Sequence, residues 1–281
     1  MTKHFGVRTS LEKQVKHMSK FIAAMDHSGG STGGVLERYE QDYTEDNKMD
    51  LVHQMRMRMV NSPDFNSNNI WASILYKDSV ERGLSMILRA KGIEPYLKID
   101  SGCEEDGTLK HFDLEEMCKY ALEMQCSGTK MRSIIKSEEM IDAVLKQQFG
   151  MAAYISNKGL MPIVEPEIPI DHPMKRSLEI MLFEQLNNHL QTLDGKCILK
   201  LTLPDIKELY KPLTAHESCS SIVALSGGYT TEEACKRLAN NPSMGASFSR
   251  ALSEGLFYGQ TEPVFDTRIS ANIDNIKRSC E

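Results

Sequence analysis

Several common signatures are missing from this sequence, and each absence removes a class of function. Its seven cysteines (Cys103, Cys118, Cys126, Cys197, Cys219, Cys235 and Cys280) are odd in number and include no CxxC pair. A disulfide framework and a structural zinc site are therefore not expected, and the thiols read as reduced and mostly buried. The eight histidines are scattered, without an HxH or HExxH arrangement, so metal-dependent chemistry is not favoured and no cofactor is expected. No apolar run approaches the ~20 residues of a membrane span. The first twenty residues, MTKHFGVRTSLEKQVKHMSK, have no apolar core of the signal-peptide kind. The expectation is a cytoplasmic protein with no membrane partner. The net charge of −6 comes from interspersed acidic and basic residues with no basic stripe, so nucleic acid is not an expected partner. Low-complexity segments, internal repeats and Pro/Gly-rich linkers are also absent. No domain boundary is drawn, and residues 1–281 are expected to form a single domain.

What the chain does contain is alternation. With 41% hydrophobic residues it can build a full core. Short apolar runs alternate with longer amphipathic ones, as in βα units around a parallel sheet. Eight strands are predicted: 21–25, 70–76, 96–99, 128–131, 160–164, 197–201, 222–225 and 245–248. Ile141, Val144, Leu145, Phe149 and Ala152 recur at helical spacing between two of them, as do Leu178, Met181, Leu182, Leu186 and His189 between the next two. The connection from Gly33 to about Ser62 is long. The seventeen methionines are spread along the chain and read as core filling. Eight alternations in this length predict an α/β fold, a TIM (β/α)8 barrel, whose catalytic groups belong at the carboxyl ends of its strands.

Polar residues do gather there. The most informative is Lys200, a lone basic side chain in the apolar run Lys196-Cys-Ile-Leu-Lys-Leu-Thr-Leu-Pro204. Alternation places it on one face with Ile198 and Thr202, while Leu199, Leu201 and Leu203 take the other. Taken alone it would be a strand-end lysine reaching water, but an amine confined to a low-dielectric site is also a usable nucleophile. The first predicted strand ends in Asp26, followed by His27-Ser-Gly-Gly-Ser-Thr-Gly-Gly34. The third ends in Lys98-Ile-Asp100, the fourth carries Lys130-Met-Arg132 and the fifth ends in Glu165-Pro-Glu167. The seventh runs into Ser226-Gly-Gly228, and the eighth ends near Ser249-Arg250. Singly, Glu-Pro-Glu reads as a solvated loop, Lys-x-Arg as surface charge, and Ser-Gly-Gly as a helix entry ahead of a capping region at Thr230 to Glu233. At successive strand ends they instead assemble an amine, carboxylates for proton transfer, and Gly/Ser turns whose backbone N–H groups suit anions.

Asp26-x-Ser-x-Gly-Ser, Leu97-Lys-Ile-Asp-x-Gly, Lys130-Met-Arg, Pro162-Ile-Val-Glu-Pro-Glu-Ile, Leu199-Lys200, Leu225-Ser-Gly-Gly and Phe248-Ser-Arg-Ala-Leu occur in order over about positions 21 to 252. This ordered series resembles class I (Schiff-base) fructose-bisphosphate aldolase, in its short bacterial form. The resemblance implies reversible cleavage of fructose 1,6-bisphosphate through a Schiff base, within glycolysis and gluconeogenesis. It casts Lys200 as the Schiff-base lysine and Glu165 as the proton shuttle of carbinolamine dehydration, with Glu167 beside it. It casts Asp26 as acceptor of the C4 hydroxyl proton, Lys130 as the second active-site lysine, and Lys98 and Arg132 as further cations of the cleft. Ser226, Gly227, Gly228 and Arg250 would hold one phosphate, and Ser28 and Ser31 the other. The last tyrosine, Tyr258, does not match the C-terminal tyrosine that assists catalysis in the larger animal form. The segment around Arg250 is two residues shorter than in that form, and the insertion at Thr32–Gly34 leaves Arg38 without a role. Two alternatives are another Schiff-base barrel enzyme, a smaller-substrate aldolase or transaldolase, and a catalytically inactive barrel acting as a binding scaffold. The expected partner is a phosphorylated sugar, and homo-oligomerisation is left open.

Overall fold

A computed structural model describes residues 20–28 and 30–281 of the chain. Eight strands, each parallel to the next, form one sheet in sequence order: β1 (Phe21–Met25), β2 (Ile70–Leu75), β3 (Glu94–Lys98), β4 (Gly128–Ile134), β5 (Met161–Glu167), β6 (Cys197–Thr202), β7 (Cys219–Leu225) and β8 (Gly245–Ala246). The sheet is rolled into a nearly closed TIM barrel. Where β8 meets β1, Ala24 N donates to Phe248 O at 3.4 Å. Helices connect the strands: α1 (Gly30–Arg38), α2 (Lys48–Asn61), α3 (Lys77–Glu81), α4 (Leu84–Ala90), α5 (Leu114–Glu123), α6 (Glu138–Asn157), α7 (Lys175–Thr192), α8 (Thr231–Ala239), α9 (Arg250–Ser253) and α10 (Glu262–Ser279). The long first connection thus holds two helices. None of the described helices is long and apolar enough to cross a membrane.

Each predicted strand falls on an observed one, and the errors lie at the ends. The fourth and fifth run three residues further, to Ile134 and Glu167, and so include Arg132, Glu165 and Glu167. A charge reads as the start of a loop, but here the strand continues and the side chain points into the barrel mouth. The seventh begins three residues early because Cys219-Ser-Ser221 carries little hydrophobic signal.

Period-two alternation divides the apolar residues into two cores. Ile22, Ala72, Ile74, Tyr96, Met161, Ile163, Ile198 and Val223 pack together inside the barrel. Their sequence neighbours, among them Phe21, Leu97, Val164, Leu199, Leu201 and Ala224, face the helices. On α6 the buried residues Ile141, Val144, Leu145, Gln148, Phe149, Ala152 and Ile155 form the stripe that meets the sheet. Asp113 caps α5 by accepting from Glu116 N at 2.9 Å, and Thr230 caps α8 by accepting from Glu233 N at 3.2 Å.

Gly128 makes room for the inner core. A Cβ there would lie 2.0 Å from Met161 O and 2.5 Å from Cε1 of Tyr96, the buried ring beside it. Gly128→Ala is expected to destabilise the fold by about 2–3 kcal/mol, the scale of an overpacked core. An unchanged urea midpoint would refute this account of the barrel floor.

Candidate active site

Two residues above the inner apolar layer, the same parity delivers charge instead of hydrocarbon. Lys98 follows Tyr96, Lys130 follows Gly128, Glu165 follows Ile163 and Lys200 follows Ile198; Asp26 occupies the equivalent position at the end of β1. The strands converge there, so the groups meet. Lys130 Nζ donates to Asp26 Oδ2 at 2.9 Å and stands 2.7 Å from Glu165 Oε2, a close ion pair without the alignment of a directional hydrogen bond. Lys200 Nζ lies 3.2 Å from the other oxygen of the same carboxylate, Glu165 Oε1. The two amines therefore do not face each other bare, because Glu165 bridges them. Lys130, Glu165 and Lys200 are at most 4% exposed.

Burial alone would drive each of these groups toward its neutral form, but the neighbouring charges outweigh it. Burial pushes the Asp26 carboxyl up, yet Lys130 and then Lys200 hold it far below the ordinary carboxylate range. Glu165 shows the same balance, with burial opposed by Lys130 and Lys200, and its carboxyl is lowered. Burial would neutralise Lys130, but Asp26, Glu165 and Asp100 hold its ammonium well above the usual lysine value. Lys130 is thus a fixed cation, gripped by two carboxylates, whereas the ion-pair contact of Lys200 is to one.

The rim continues the pattern. Lys98 Nζ donates to Ser28 Oγ at 2.9 Å and lies 3.5 Å from Asp100 Oδ1, while Asp100 Oδ2 accepts from Arg132 N at 3.2 Å. Arg132 Nε pairs with Glu167 Oε2 at 2.6 Å. Across the mouth, Ser226, Gly227 and Gly228 form the turn after β7, with left-handed φ of 57° and 112° at the two glycines. Helix α8 starts only at Thr231, so its N-terminus is capped by Thr230 and does not open directly from the glycines. Arg250 heads α9 and donates to Gly228 O at 3.3 Å, which joins the loops after β7 and β8. The side chain of Ser31 lies outside the described residues. Among the described residues, no group of three or more His, Cys, Asp or Glu is arranged to hold a metal ion.

Four supporting side chains had no clear sequence signal. Gln148, fully buried on α6, accepts from Glu165 N at 3.1 Å and donates to Ser133 Oγ at 2.7 Å, tying the β5 backbone at Glu165 to β4. Thr202 Oγ1 accepts from Ile168 N at 3.1 Å and donates to Ile168 O at 2.8 Å. That clamp matters because β5 and β6 are ladder-paired only at Ile163↔Ile198 and Val164↔Leu199, and Pro166, which follows, has no N–H to offer. Arg38 is lowered by partial burial and then by the nearby Arg250 guanidinium, which places two cations at the rim. His27, next to Asp26 in the glycine-rich segment, shares a hydrogen bond of 2.9 Å between its Nε2 and Ser249 Oγ, linking the ends of β1 and β8.

An α/β barrel with buried lysines and carboxylates at its C-terminal mouth is a barrel equipped for covalent amine catalysis. The family model described as fructose-bisphosphate aldolase class-I matches residues 9–203. A class 1 fructose-bisphosphate aldolase from Clostridium acetobutylicum is 41% identical, over 94% of this chain and 97% of its own length. Another, from Synechocystis, is 40% identical over 94% of each chain. Among solved structures, fructose-bisphosphate aldolase from Plasmodium falciparum, crystallised with TRAP and a small-molecule inhibitor, shares the fold. Its TM-score is 0.80 at 17% identity, covering 100% of this chain and 96% of that one. A structural-genomics target from Corynebacterium glutamicum has a TM-score of 0.60 at 12% identity, covering 97% and 92%. The chain belongs to the class-I fructose-bisphosphate aldolase family, the metal-independent carbon–carbon lyases that cleave fructose 1,6-bisphosphate reversibly to dihydroxyacetone phosphate and glyceraldehyde 3-phosphate.

The environment of His27 makes stability depend on pH. Burial, opposed by Asp26 and reinforced by Arg56, lowers its imidazole from 6.5 to about 4. Between those values the unfolded chain binds a proton that the folded chain resists, so this contribution to stability is complete above about pH 6.5 and is lost as pH falls toward about 4. His27→Gln is expected to flatten that part of the profile, as measured by urea unfolding at about pH 7 and about pH 5. Identical pH dependence in the two proteins would count against it.

Proposed function

We propose that Lys200 is the Schiff-base nucleophile of this aldolase, supported chiefly by its single 3.2 Å contact to Glu165 beside a Lys130 locked between two carboxylates. Of the two buried amines, Lys130 has two ion-pair contacts to give up on bonding to a carbonyl carbon, whereas Lys200 has one. Its nitrogen adds to the C2 carbonyl of the sugar, and Glu165 moves the protons that let the carbinolamine lose water. The resulting iminium is a cationic electron sink. Asp26, ionised by its contact with Lys130, accepts the proton of the C4 hydroxyl. The C3–C4 bond then breaks, its electron pair enters the iminium to form an enamine, and the aldehyde leaves. Protonation of the enamine at C3 and hydrolysis return dihydroxyacetone phosphate and the free amine. Lys130 keeps Asp26 and Glu165 charged and oriented, while Glu167 and Arg132 form the neighbouring pair on the wall.

The two phosphates of the substrate match the two polar rims. The turn at Ser226, Gly227 and Gly228, with Arg250, offers backbone N–H groups and a guanidinium to one. Ser28 and Lys98 offer a hydroxyl and an ammonium to the other, with Ser31 joining them by resemblance. In this reading the whole chain works as one domain in the cytoplasm, on a phosphorylated sugar of glycolysis and gluconeogenesis.

Borohydride reduction in the presence of dihydroxyacetone phosphate should place a stable adduct on Lys200, and Lys200→Ala should abolish both adduct and cleavage. Peptide mapping that finds the adduct on Lys130 or Lys98 would overturn the assignment. Glu165→Gln keeps shape but cannot move a proton, so turnover should fall by roughly 10²–10⁴-fold. Turnover within a few-fold of wild type would transfer the step to another carboxylate.

A further inference from the structure

Arg56, inside the Met-Arg-Met-Arg-Met segment of α2, is 1% exposed and among the largest fully buried side chains of the described residues. A guanidinium is seldom buried without a carboxylate fork, yet the hydrogen bonds of Arg56 go to neutral oxygens. Its NH1 donates to Ser79 Oγ and its NH2 to the carbonyl oxygen of His27, each at 2.7 Å. Burial pulls this guanidinium down to about 10, with Asp26 the first of the carboxylates opposing it. So costly a group implies a geometric duty. The His27 carbonyl belongs to the residue between Asp26 and Ser28, and β1 has already ended at Met25. No strand ladder fixes the backbone there. Arg56 does so from behind, while Lys130 and Lys98 hold the flanking side chains from the front, each at 2.9 Å.

We propose that Arg56 is a positioning residue for carbon–carbon cleavage: by clamping the His27 carbonyl it sets the aim of the Asp26 carboxylate, without itself touching substrate. The proposal rests on the role of Asp26 given above. It separates two half-reactions of the enzyme. Schiff-base formation with dihydroxyacetone phosphate needs Lys200 and Glu165 but no proton transfer to Asp26, whereas cleavage of the bisphosphate needs both.

Arg56→Met keeps the length and apolar fit of the side chain but removes both donors. It should lower the turnover number for cleavage about 10²-fold, the scale of a misplaced catalytic group. The rate of borohydride trapping with dihydroxyacetone phosphate should stay within a few-fold of wild type. Arg56→Lys, which keeps the charge and one donor, should recover part of the loss. In an Asp26→Asn background, Arg56→Met should cost little more, because the group it aims is already gone. Wild-type cleavage by Arg56→Met, an equal fall in trapping and cleavage, or the same fold-loss in the Asp26→Asn background would each overturn the proposal. Wild-type cleavage by Asp26→Asn alone would instead overturn the role given to Asp26. If Arg56→Met does not fold, Arg56→Lys carries the test: reduced cleavage with retained trapping supports the clamp, and any other result overturns it.

Discussion

The Glu165 carboxylate faces two ammonium groups at once, one at each oxygen, in a site that water barely reaches. With Asp26 on the far side of Lys130, the innermost cluster of the mouth holds two basic and two acidic groups whose charges cancel. Cancellation is the condition for having them there. Bringing each ion out of water costs several kcal/mol, and mutual attraction offsets this only when every partner is present. Removing one member leaves a buried charge unopposed, at a cost of about 3–5 kcal/mol. The same arrangement fixes protonation at three of the four groups: Asp26 and Glu165 are held as acceptors and Lys130 as a donor. Stability and chemistry at this mouth are therefore settled by one set of contacts.

The barrel makes such a cluster affordable by stacking it on a dry floor. Ile22, Ile74, Tyr96, Met161, Ile163, Ile198 and Val223 fill the interior immediately below, so the charges have a rigid apolar support and a single open side. Support from outside comes through buried polar groups set in the helices. Gln148 reaches from α6 to the backbone of Glu165, and Arg56 reaches from α2 to the backbone beside Asp26. At Glu165 and beside Asp26 both hold main chain rather than the carboxylate, which leaves the two carboxylates to their contacts with the lysines.

Much of this was legible in the sequence because two periodicities carried it. The two-residue period of Cys197-Ile-Leu-Lys-Leu-Thr202 put Lys200 on one face with Ile198 and Thr202, and the fall of charged motifs at successive strand ends joined them into one site. The ordered motifs then supplied the chemistry. What escaped was whatever depends on contact across the fold. Arg56 sits in a helix whose sequence resembles any amphipathic surface, Gln148 passes as a solvated glutamine, and Thr202 as an ordinary strand residue. Their burial follows from which helix lies over which strand, and local pattern does not contain that. The ends of β4 and β5 were cut short for the related reason that charge was taken as the end of burial.

Pro166 sits between the two glutamates of β5, on the strand edge facing β6, and it interrupts the hydrogen-bonded seam at the level of Lys200. Below it the strands are joined by their ladder, at Val164 and Leu199; above it Thr202 sews them together again through Ile168. The result is a slit with firm ends in the seam between β5 and β6. The strand that carries Lys200, the nucleophile proposed above, is tied to β5 below and above this point but not beside Pro166 itself. The proline places this gap in the seam that bears Lys200 and Glu165, while β4 pairs with β5 along all of both strands and β6 with β7 from Cys197 to Thr202 across one irregularity.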